Sequence, residues 1–101
     1  MNAGPDTRQK ALGIIETQGR TPLVEALDSA IKTAQVDILA SYFVGGGSNA
    51  VTLVGDVAAV RAALDAAQAM IDRRGFSGKT HLIARLAQEV WPMIASPVKV
   101  L

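Results

Sequence analysis

The 101-residue chain contains no cysteine, which excludes disulfides and thiolate chemistry and is compatible with a reducing compartment. It has one histidine, His81, so any metal site or catalytic triad would have to be built on that side chain without thiolate help. Aromatic residues make up only 4% of the chain. Net charge is scarce too: 10 Lys and Arg against 9 Asp and Glu leave +1, which gives no electrostatic case for nucleic acid or an anionic membrane surface. No apolar run approaches the ~20 residues that a membrane-spanning helix needs. The opening MNAGPDTRQK lacks the apolar core of a signal peptide, so a soluble, cytoplasmic protein is expected.

Half of the residues are apolar, with many alanines. A chain of this length makes one domain that buries roughly 60–65% of its unfolded surface. So apolar a composition in so small a domain suggests surface to be hidden against further copies of the chain.

The stretch that organises the rest is VDILASYFVGGGSNAVTLVGD, residues 36–56. Two β-branched, apolar runs flank an uncharged turn containing Gly45, Gly46 and Gly47, which reads as a β-hairpin. Three successive glycines cost backbone entropy on ordering, and only positive φ or the close approach of another group compensates for it.

Before the hairpin, residues 1–9 read as a flexible tail, and residues 10–17, KALGIIET, as a first strand. Thr21 then suits a helix cap and Pro22 a first helical position. Leu23, Val24, Leu27, Ile31 and Ala34 recur on one face, with Glu25, Asp28, Lys32 and Gln35 left to water. Asp28 and Lys32 stand at the favourable i,i+4 spacing. After the hairpin, Asp56 is placed to cap a second helix and Gly75 to end it. Its expected buried stripe is Val57, Val60, Leu64, Ala67 and Ile71, and its many alanines keep it thin. Residues 77–85, SGKTHLIAR, supply a fourth strand, and residues 86–89 a short helical turn before Trp91. The order β-α-β-β-α-β with a short C-terminal helix predicts an α+β, ferredoxin-like sandwich whose antiparallel sheet holds strands one and three in its middle. The folded domain is expected over residues 10–91, with a C-terminal tail over 92–101.

Chemistry is sparse. His81 has no serine and carboxylate at a supporting spacing, and Glu16 and Asp37 are lone carboxylates, so no catalytic, cofactor or metal site is expected. The glycine turn lacks the GK[ST] ending of a phosphate loop and runs into a strand, not a helix. An RNA-binding sheet would carry aromatics on its central strands, and none stand there. A small-molecule-binding regulatory module of the same topology stays open, because fold does not determine function.

Five segments, read in register, resemble the bacterial microcompartment shell-protein family (BMC domain), of the single-domain, hexamer-forming type. They are ALGIIETQG (11–19), LVEALDSAIKTAQV (23–36), the GGG turn, VGDVAAVRAALDAA (54–67) and THLIAR (80–85). The resemblance implies a structural, non-enzymatic protein that forms flat cyclic hexamers and tiles with other shell proteins around encapsulated enzymes. It implies that Gly45, Gly46, Gly47 and Ser48 line a central pore for small metabolites, and that Lys32 and Arg85 make contacts between hexamer edges. The stretch from Ser41 to Ala50 carries no charge, so six copies would make a neutral, polar pore. Two positions depart from the family pattern: Phe43 stands where many relatives carry lysine, and Leu86 where the family usually has proline. A glycine pore without the nearby lysine looks more like the shells around catabolic enzymes than like carboxysome shells.

Overall fold

The structure, a computed structural model, describes residues 9–95. Apart from Gln9 and the segment from Pro92 to Ala95, the two expected tails lie outside the described residues. The strands are β1 (Ala11–Gln18), β2 (Asp37–Gly45), β3 (Ser48–Gly55) and β4 (Gly78–Ile83), and the helices are α1 (Arg20–Thr33), α2 (Val57–Arg74) and α3 (Trp91–Ala95). A 3₁₀ turn, Gln88–Val90, leads into α3. The sheet runs β2-β3-β1-β4 and every pairing is antiparallel, as the element order predicts.

Both faces of the sheet are covered. On one, Ala11 and Ile15 of β1 and Val51 and Leu53 of β3 meet Leu23, Ala26 and Ala30 of α1 and Val60, Ala63, Leu64 and Ile71 of α2. On the other, Leu12 and Val54 pack under Trp91, with Ile14, Leu39, Leu86 and Ile94 at the margin. Burial on both faces explains why β1 and β3 are nearly continuous apolar runs where a half-exposed strand would alternate. Trp91 is 3% exposed and acts as a lid for the second face. The Tyr42 hydroxyl donates to the carbonyl of Ile94 and ties α3 to β2.

Several local expectations are met. Asp56 is the N-cap of α2, and Gly75 ends it in the left-handed region at φ 71°. The Asp56 carboxylate does not cap its helix, however; it receives Lys10 Nζ at 2.8 Å. At α1 the cap differs. Gly19, with φ 92°, occupies the N-cap position, and Thr21 and Pro22 lie inside the helix. The chain leaves β1 and enters α1 at once, and only a residue tolerating positive φ makes that corner. Thr17 Oγ1 braces it by donating to the Gly19 carbonyl at 2.8 Å.

The buried stripes also differ from the expected ones. α1 buries Leu23, Ala26 and Ala30, while Val24 is 58% and Ile31 39% exposed. On α2, Val57 is 43% exposed and Ala63 and Met70 are buried instead. Alanines fill these contacts because the helices lie close to the sheet and to each other.

Candidate functional site

The hairpin turn is built from its backbone angles. Gly45, Gly46 and Gly47 have φ of 110°, 60° and 82°, and Gly45 and Ser48 close the pairing across a two-residue loop. Positive φ at both central residues is what the tight hairpin turn matched to strand twist requires. A register shift between Phe43 and Gly45 bends β2 just before the turn. A Cβ placed on Gly45 or Gly46 would meet nothing within 4 Å, so their glycine character answers to backbone angle and not to crowding inside the chain. Only at Gly47 would a Cβ meet a neighbour, Gln18 Nε2 at 2.8 Å.

The turn is held from one side. Gln18 Nε2 donates to the Gly46 carbonyl at 2.5 Å, and the Gly19 amide donates to the Gly47 carbonyl at 2.8 Å. Asn49 Nδ2 also donates to the Gly47 carbonyl, at 3.1 Å. Below the turn, Ser48 Oγ donates to Glu16 Oε2 at 2.8 Å. Although residues 41–50 carry no charge, folding brings two charges to their flanks: this Glu16 carboxylate, and Arg20, whose guanidinium lies 5.0 Å from the centroid of the Phe43 ring. Neither neighbour is visible in the local sequence, since both come from elements outside the hairpin.

Lys32 lies on the outer face of α1, its side chain 74% exposed, and pairs with Asp28 at 2.9 Å as the spacing predicts. Arg85 follows β4, is exposed, and borders a shallow groove with Lys10, Leu86 and Gln88. Leu86, at the position where a proline is usual, packs against the cluster beneath Trp91. His81 is exposed on β4 across from Ile14, and among the described residues no group of three His, Asp or Glu side chains is placed to hold a metal. No helix among them is long and apolar enough to cross a membrane.

Folding also creates a surface feature that no single segment of the sequence shows in full. Val24 and Leu27 of α1 and Tyr42 and Phe43 of β2 line a largely apolar groove between the helix and the edge strand, with Arg20 also in its lining. Phe43 and Val44 are 57% and 58% exposed. The signal was present in the five-residue apolar stripe of α1, which is wider than the domain itself buries.

Comparison with known proteins adds to this geometry. The BMC domain family model matches residues 11–86. The carboxysome shell protein CsoS1C of Hydrogenovibrio crunogenus is 42% identical over 86 residues, 84% of each chain. The probable carboxysome shell protein CsoS1E of Prochlorococcus marinus is 41% identical over 85 residues, which are 83% of this chain and 42% of that protein. Among solved structures, a microcompartments protein from Desulfitobacterium hafniense superposes with a TM-score of 0.76 at 26% identity, covering 92% of this chain and 51% of the other.

Proposed function

The chain belongs to the BMC domain family, and on that premise we propose that it is a structural shell protein of a bacterial microcompartment that assembles as a flat cyclic hexamer. It is not an enzyme. In this reading six glycine turns meet around the axis and leave a small uncharged pore, lined by Gly45, Gly46, Gly47 and Ser48, through which small polar metabolites pass while macromolecules do not. Lys32 and Arg85 make the contacts at which hexamers tile with one another and with other shell proteins. Encapsulated enzymes lie on one side of that sheet.

The observation that carries the ring is the apolar groove between α1 and β2, whose Val24 and Phe43 are more than half exposed on a single chain. A head-to-tail interface repeated around an axis covers such a surface in every copy. The open space over Gly45 and Gly46 leaves room for the turns of other copies. With backbone N–H groups of an uncharged turn near the axis, the pore favours polar solutes over apolar ones.

The catabolic cargo expected from the glycine turn gains no support from the relatives, whose names are those of carboxysome shell proteins. The carboxysome type is therefore the reading of the cargo that the comparisons favour, and the genes beside this one test it. For the assembly, light scattering after size exclusion is expected to give about six times the 10.5 kDa chain mass. A stable monomer or dimer would overturn the ring, and a monomer whose unfolding temperature rises with one metabolite would favour a regulatory module instead.

A further inference from the structure

The glycine turn could present either kind of backbone group to a solute, carbonyl oxygens or amide N–H groups, and which one it presents decides the chemistry it favours. Here both carbonyls of the two-residue loop are engaged by their own chain. The Gly46 carbonyl accepts from Gln18 Nε2, and the Gly47 carbonyl accepts from the Gly19 amide and from Asn49 Nδ2. By contrast, the N–H groups of Gly46 and Gly47 donate to nothing among the described residues. The Gly47 carbonyl is held twice over. The Gly46 carbonyl rests on one side chain, which comes from the end of β1, 28 positions away in sequence.

We infer that Gln18 is the positioning residue of this turn: its side-chain amide holds the Gly46 carbonyl back against the chain, and so sets a donor-rich face towards whatever passes. An amide at this position must have its NH₂ towards Gly46, since its oxygen there would meet another acceptor. Glycines at positive φ have no Cβ to oppose rotation of a peptide unit, so without that contact the Gly46 carbonyl loses its one hydrogen-bond restraint and its oxygen can turn outward. A solute with oxygen or halide acceptors, small anions included, meets its complement at a face of N–H groups and repulsion at a face of carbonyls. Gln18 thus governs the turn's selectivity without touching the solute. This assignment deepens the pore reading above, but its central measurement does not depend on the number of copies in the assembly.

The test compares Gln18→Met, which keeps length and bulk but has no donor, with Gln18→Lys, which restores one. Hydrogen exchange is read over residues 17–20 and 45–49, with the Gly19 amide as the reporter because it is bonded to the turn. Removing one exposed hydrogen bond should speed exchange there roughly two- to fivefold in the Met variant while leaving the core strands unchanged. The Lys variant should return the rate towards that of the wild type. Unchanged exchange in the Met variant overturns the assignment. So does fast exchange in both variants, because bulk and not donation would then hold the turn. Light scattering on the same samples reports separately on the ring: a wild-type monomer with a Gln18-dependent turn would sink the pore reading and leave the positioning role intact.

Discussion

Replacing Gly13 with alanine tests how closely α2 is seated on the sheet. Gly13 lies buried on β1 with its missing side chain aimed at α2, and an added Cβ would stand 2.8 Å from Val60 Cγ1 and 3.3 Å from both Leu64 methyl groups. Val60 is fully buried and Leu64 nearly so, which leaves neither an easy way out. Valine in a helix is confined to one main rotamer, so the clash is relieved only by lifting the helix or by an off-rotamer side chain. Overpacking of this kind costs about 1–3 kcal/mol. Against that, alanine reduces the entropy of the unfolded chain and returns about 0.4–1 kcal/mol. We expect a net loss of roughly 1 kcal/mol, or a fall of about 4–8 °C in Tm for a domain of this size. Circular dichroism melts at one fixed chain concentration provide the measurement, since assembly makes Tm depend on concentration. The decisive control is the same substitution in a Val60→Ala background, where the added methyl has room and the penalty should shrink. If Gly13→Ala is neutral or stabilising, or if its cost is the same in both backgrounds, the proposed contact between α2 and β1 is wrong.

Two other substitutions probe the ends and edges of the domain. Gly75→Ala forces a Cβ into the left-handed region at φ 71° without meeting any neighbour, so it should cost about 1–2 kcal/mol from backbone strain alone, with Gly75→Asn losing less in the same melt. Lys32→Asp replaces the i,i+4 pair with Asp28 by a like-charge pair, a loss of about 0.5–1 kcal/mol at an exposed site, so the fold and the ring mass should survive. Extended sheets in electron micrographs should nevertheless vanish, and sheets that persist would remove Lys32 from the edge contact.

Much of the fold is local in origin and therefore legible along the chain. Gly75 marks the end of α2 because few other residues adopt the required φ, and the GGG run marks the hairpin for the same reason. The strand order follows from the element order and the handedness of crossovers. Where structure and expectation differ, the difference depends on what lies opposite. Val24, Ile31 and Val57 fit the helical period as well as Leu23 and Val60 do, and periodicity cannot tell a face turned to the sheet from one turned outward. Thr21 is a plausible cap until the abrupt corner after β1 puts Gly19 in that place.

The candidate site divides in the same way. That the turn is uncharged and built of glycine follows from its residues alone, because those properties are local; positive φ and a close approach both remained open as the reason for three glycines, and the backbone angles of the folded chain answer with positive φ. Which way the turn's polar groups are committed depends instead on residues that folding brings in from outside the hairpin. Gln18, Gly19 and Glu16 reach it from β1 and the corner beyond, across about thirty positions of chain, and Arg20 reaches Phe43 from α1. Such contacts form because antiparallel pairing sets Gln18 opposite Ser48, and a register that aligns two strands end to end is a property of the sheet, not of either segment alone.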